Sequence, residues 1–166
     1  MADLTALAVL SLLGQYTLDA DINTVKDIVD ETIELELADG TGTGYGDLQF
    51  HDQRQLSDGG NEELDLAGSL TDQFGSTLTF AKIKLLVIEN LSASQTLTVG
   101  NASSNQFVGP FGAAAHTLGI GPNSFAVLIA NPAGYAVTAG TGDKLKILNS
   151  AGSSCLYNIF IWGATA

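Results

Sequence analysis

Basic residues are scarce in this chain: 6 Lys and Arg stand against 18 Asp and Glu in 166 residues. Neutralising a phosphate backbone takes clustered cations, so the composition argues against nucleic acid as a partner. Cysteine is nearly absent, and Cys155 alone can close no intrachain disulfide. With no paired cysteines, no H-E-x-x-H and two isolated histidines, zinc has no ligand set. No apolar run reaches the eighteen or so residues of a spanning helix, which argues against a membrane partner. Helical periodicity is missing beyond the first thirty residues. What remains is 45% hydrophobic and only 14% charged, with 19 glycines, the composition of a turn-rich folded protein.

The longest run of strand character is Thr77 to Asn90, TLTFAKIKLLVIEN. Its alternation puts Ile83, Leu85 and Val87 on one face and Leu78, Phe80, Leu86 and Ile88 on the other. The pattern predicts a central strand covered on both sides, with Lys82 and Lys84 laying their stems on apolar surface. Around it, short alternating runs recur between turn signals: Thr32–Leu37, Gly46–Leu56, Glu62–Leu66, QTLTVG, AAAHTLGI, SFAVLIA, YAVT, KLKIL and LYNIFIWG. Strands at such spacing predict an all-β fold, an antiparallel β-sandwich of jelly-roll type.

Residues 1–31 read as an N-terminal arm and acidic linker, and residues 32–166 as the sandwich. The arm begins with an apolar segment, Leu4 to Leu13, a short amphipathic helix or an extended arm too apolar to lie free in water. It lacks the basic flank and small-residue cleavage site of a signal peptide and is expected to be retained. Leu4, Leu7, Val9, Leu10, Leu12 and Leu13 are therefore candidate partner-binding residues. Phe111, at the loop tip Gly109-Pro110-Phe111-Gly112, is another. Charge is divided along the chain. Residues 1–75 carry 16 acids against Lys26 and Arg54, whereas residues 76–166 carry Glu89 and Asp143 against four lysines. This asymmetry fits two surfaces, or an arm and a body, with different partners, and the reading preferred for the acidic part is a repulsive, soluble face.

Asp19, Asp21, Asn23, Asp27 and Asp30 fall at positions 1, 3, 5, 9 and 12 of a calcium loop. The match fails at position 6, where Thr24 replaces glycine, and at position 12, where Asp replaces Glu. An ordinary acidic turn is the reading preferred over a calcium site, and no metal or other cofactor is expected. His51, Asp52 and Arg54 are close in sequence, but neighbours on a strand point to opposite faces, so Asp52 cannot orient His51. No catalytic residue can be nominated, and the chain is not expected to be an enzyme. Trp162 and Phe111 could stack on a sugar, although core filling accounts for most of the aromatics. Asn90-Leu91-Ser92 and Asn101-Ala102-Ser103 match the glycosylation pattern.

Five segments in order resemble a family of bacteriophage virion structural proteins. They are FHDQRQL at Phe50–Leu56, LDLAGSLTDQFG at Leu64–Gly75, TFAKIKLLVIEN at Thr79–Asn90, GYAVTAGTGDKLKILN at Gly134–Asn149 and YNIFIWG at Tyr157–Gly163. The resemblance spans residues 32 to 163 and implies a jelly-roll body without catalytic motifs. It further implies a capsid cement (decoration) protein, a homotrimer bound to the phage major capsid protein on the head surface. A tail, neck or fibre-associated component is the alternative, followed by a carbohydrate-binding module and, last, a jelly-roll hydrolase.

Overall fold

The computed structural model describes residues 3–130 and 132–166. The turn expected at Asn131 to Gly134 thus has its first residue outside them. The fold is all-β. Alternation of Ala6, Ala8 and Leu10 with Leu7 and Val9 continues into β1 (Ala6–Asp19), which turns back at Ala20–Asn23 into β2 (Thr24–Asp39). All fourteen residues of β1 pair antiparallel with β2, from Ala6 opposite Leu37 to Asp19 opposite Thr24. β3 (Tyr45–Gly46) joins the root of this ribbon in parallel.

The body follows: β4 (Leu48–Leu56), β5 (Asn61–Asp65), β6 (Ala67–Thr71), β7 (Thr77–Thr79) and β8 (Lys82–Asn90). Then come β9 (Leu97–Gly100), β10 (Thr117–Ile120), β11 (Phe125–Ile129), β12 (Tyr135–Ala136), β13 (Lys144–Asn149) and β14 (Cys155–Ala164). One sheet runs β11-β8-β14-β4, with β12 beside β8; the other runs β10-β9-β13-β5. β6 and β7 form a separate pair.

Each sheet contributes one face to the core. Phe50, Ile83, Leu86, Ile88, Tyr157, Ile159 and Ile161 come from the first sheet. Leu64, Leu97, Val99, Ile120, Leu145 and Ile147 come from the second. Polar groups at the ends of the sheets are satisfied inside. The buried Asn90 amide donates to the carbonyls of Gln95, Ile120 and Gly121 at 2.7, 3.1 and 2.8 Å. Its oxygen accepts from the Ser92 amide at 3.0 Å and from the Cys155 thiol at 3.2 Å. An asparagine so engaged is not open to glycosylation. Burial pushes the Cys155 thiol up from its ordinary range.

Three expectations need correction. The run Thr77–Asn90 is not one strand: it breaks at Phe80, whose side chain turns into the core while its amide bonds to the Leu66 carbonyl. Within β8, the ladder to β14 then slips by one residue, Trp162 facing Leu85 and Gly163 facing Ile83. Lys84 is the extra residue of this β-bulge, so Ile83 and Leu86 both point inward where strict alternation would have parted them. Lys84 is also not a snorkelling surface lysine. It is 3% exposed, and its ammonium donates to the Pro132 carbonyl at 2.7 Å. Desolvation, with Lys82 adding repulsion, lowers its pKa. Finally, the division at residue 31 falls within β2, and Thr32–Leu37 belongs to the ribbon instead of the sandwich.

Candidate interaction surface

The ribbon's register sorts its side chains onto two unlike faces. Ala6, Ala8, Leu10, Leu12, Tyr16 and Leu18 share one face with Leu37, Leu35, Ile33, Val29 and Val25, interrupted only by Gly14, Glu31 and Asp27. The opposite face pairs Leu7 with Glu36, Val9 with Glu34 and Leu13 with Asp30. It is the acidic face, and the apolar one looks toward the body.

Only the root of the apolar face is covered. Ala6 and Leu37 are buried and Ala8 and Leu35 half-buried, but Leu12, Leu18, Val25, Val29 and Ile33 are exposed. Tyr16 is 75% exposed, and Ile22 at the tip 97%. Fourteen paired residues extend about 45 Å at 3.3 Å per residue. A lone two-stranded hairpin is marginal in water, so a ribbon this long and apolar calls for a cover.

The outer face of the first sheet supplies a second apolar surface. Its cross-strand rows read Phe125–Glu89–Asn158–Gln53, Val127–Val87–Phe160–His51 and Ile129–Leu85–Trp162–Gln49. The β4 end of each row is polar. Gln53 donates to Asn158 at 3.0 Å and Asn158 to Glu89 at 2.8 Å, His51 stacks on Phe160, and the Trp162 indole donates to Gln49 at 3.1 Å. Toward β11 the face becomes aliphatic and aromatic, with Phe125 63% exposed. Ribbon and sheet meet in a groove of about 390 Å³, lined by Ala8, Leu10 and Ile33 of the apolar ribbon face and by Leu85, Val87, Phe125, Val127, Ile129, Phe160 and Trp162.

The nominated residues are distributed as follows. Leu10 and Leu12 lie on the apolar ribbon face, and Leu7, Val9 and Leu13 on the acidic one. Leu4 is half-buried at the root, its amide bonded to Asp39 at 3.1 Å. Phe111 is not a free loop tip: it packs against the core, and its carbonyl meets His116 Nδ1 at 2.8 Å. Asp19, Asp21 and Asn23 sit at or beside the ribbon's turn, while Asp27 and Asp30 lie down β2 on opposite faces, so the five do not converge. Among the described residues, no three His, Cys, Asp or Glu side chains gather to hold a metal.

His51 is on the outer face, whereas Asp52 bonds to Arg54 at 2.8 Å. Arg54 also holds Glu62 at 2.6 Å, and Glu62 accepts from the Tyr157 hydroxyl at 2.7 Å. These groups link β4 and β14 of one sheet to β5 of the other. The Glu62 carboxylate raises the Arg54 pKa, and burial, reinforced by Glu62, raises that of Tyr157. Charges that satisfy one another across a sandwich edge form a clamp. The depression beside them, about 410 Å³ and lined by Asp52, Arg54 and Glu62, is polar and open.

Sequence reasoning missed the receiving half of the surface, Phe125, Val127, Ile129 and Phe160, and the β2 contribution of Val25, Val29 and Ile33. The alternation within SFAVLIA carried a signal, but an apolar residue on either face of a sandwich strand reads as core. Comparison with protein-family models, with curated proteins and with solved structures returns no match to this chain.

Proposed function

We propose that this chain is a bacteriophage virion structural protein, a capsid cement (decoration) subunit that binds the head lattice as a homotrimer. The observation that carries this reading is the apolar ribbon standing off a closed sandwich. A catalyst or a soluble carrier has no use for about 30 Å of exposed apolar strand. An assembly subunit has, because weak contacts repeated over a lattice add through avidity. The strand order supports a jelly-roll reading: β4-β14-β8-β11 and β5-β13-β9-β10 interleave eight strands in two four-stranded sheets, an architecture that recurs in viral capsid domains. A body held by a buried core and a charged clamp suits a rigid brace.

The jelly roll also occurs in lectins, but the surroundings of Trp162 favour assembly over sugar binding. Its ring lines a groove of Leu, Val and Ile side chains, without the ring of hydrogen-bonding groups that sugar hydroxyls need. The deciding experiment is quantitative mass spectrometry of density-banded particles from a phage that encodes the chain, with immunolabelling of the same particles. The expected result is label over the head and a copy number that scales with the major capsid protein. A small fixed copy number at the tail or neck would replace the cement reading, and absence from particles would overturn the virion reading altogether.

A further inference from the structure

Where the ribbon leaves its covered root, Leu10 and Ile33 line one groove with Leu85, Val87, Val127 and Trp162 of the outer sheet face. Further out, the same face presents Leu12, Tyr16, Leu18, Val25 and Val29 to nothing. The ladder between β1 and β2 runs without a register shift from Ala6 to Asp19 and so has no hinge to fold its outer half back. Its tip lies about 30 Å beyond Leu10. On the body, Phe125, Val127, Ile129 and Phe160 line the same groove and remain exposed.

We infer that the outer half of the ribbon lies on the outer face of the β11-β8-β14 sheet of a second copy of this chain, and that such contacts close into a ring. This deepens the homotrimer reading above by naming the donating and receiving surfaces. Three observations select a second copy. Both surfaces belong to one chain, so the complement is always present at equal concentration. Through the outer half one face keeps Leu12, Tyr16, Leu18, Val25 and Val29 beside Glu31 and Asp27, while the other has only Leu13 and Ile28 among polar and charged residues, which sets the more apolar face inward. And the receiving strands carry the apolar residue types that line the groove beside the ribbon in cis.

Area argues for a closed ring over a single pairing. Nine residue pairs, at about 3.3 Å rise and with strands about 4.8 Å apart, give a footprint of about 300 Å². Counting both partners, one contact buries about 600 Å², short of the 1,200–2,000 Å² typical of stable pairs. In a ring every subunit both gives and receives, so two contacts burying about 1,200 Å² together hold each one, with no apolar ribbon left over.

The test uses the full chain with a benzoylphenylalanine photocrosslinker in place of Tyr16, in a mixture of isotopically heavy and light chains. Light scattering should give a closed multiple of the chain mass. Mixed-isotope crosslinks should map to residues 85–91, 125–129 or 156–162 of the other copy. Val25→Asp on the giving face and Val127→Asp on the receiving face should each weaken association at least tenfold, with the circular dichroism of the sandwich retained. Should either variant fail to fold, the crosslink map still decides. A monomer, or crosslinks confined to residues 6–39 of the other copy (ribbon against ribbon), would overturn the inference. The two readings fail distinguishably: a ring absent from particles sinks the cement proposal alone, and a monomer found on particles sinks this inference and the homotrimer with it but leaves the cement reading standing.

Discussion

Single residues in this protein matter most where a polar group is sealed inside. Asn90 offers two N–H bonds to three surrounding carbonyls, and an isosteric carboxylate there would face the same oxygens with a negative charge. Asn90→Asp is therefore expected to cost about 3–5 kcal/mol in urea unfolding at pH 7, as an uncompensated buried charge does. Tyr157 supplies a pH test. An unfolded tyrosine gives up its proton near pH 10, while the folded protein, through burial and Glu62, holds it to higher pH. The folded pKa is the raised one, so this contribution is intact below pH 10 and is lost as pH rises beyond it. Between pH 10 and 12, stability should fall less steeply in Tyr157→Phe than in the wild type. At pH 7 the same variant should lose about 1–2 kcal/mol for the hydrogen bond to Glu62. Lys84→Met should lose a comparable amount with its bond to Pro132, whereas Lys82→Met, at a half-buried position, should be nearly silent.

At the scale of elements, the bulge in β8 explains what alternation could and could not reveal. In β14 the period of two holds from Cys155 to Trp162, so the inward Tyr157, Ile159 and Ile161 and the outward Leu156, Asn158, Phe160 and Trp162 were legible in the sequence. In β8 the inserted Lys84 reverses the phase between Ile83 and Leu86, and nothing in KIKLL announces it. The break at Phe80 was hidden likewise, because Phe80 has strand propensity but is claimed by the core and by Leu66. The ribbon escaped for a different reason. Strand pairing over fourteen residues is a long-range fact, and VKDIVDETIELE fits an acidic linker as readily as a strand until its partner is known. The bulge also fixes the need for glycine opposite it. A Cβ at Gly163 would stand 2.1 Å from the Lys82 carbonyl oxygen and 2.6 Å from the Phe80 ring. Gly163→Ala should cost about 2–3 kcal/mol through overpacking, read as a lower urea midpoint with unchanged slope.

For the whole molecule, the ribbon and the sandwich have separate reasons to be folded. The sandwich has a core drawn from two sheets and a clamp at its edge, none of which involves residues 9 to 34. The ribbon has backbone pairing and a covered root, but its outer half has no core. Excising residues 9–34 and joining Ala8 to Leu35 through Asn-Gly should then leave the sandwich intact, since the two residues face each other across the ladder and Asn-Gly makes a two-residue hairpin turn. The shortened chain is expected to unfold cooperatively, to keep its β spectrum and to run as a monomer by light scattering. Loss of the folded state would mean that the ribbon is part of the body. A shortened chain that still associates would mean that the subunits meet elsewhere on the sandwich. Either result bears on more than the arm. The excised stretch holds six of the 18 acids, against Lys26, so the shortened chain also carries a net charge of −7 in place of −12 and has less mutual repulsion between copies. If it is nevertheless monomeric, association in the full chain depends on the ribbon's apolar face strongly enough to override the charge that the ribbon brings with it.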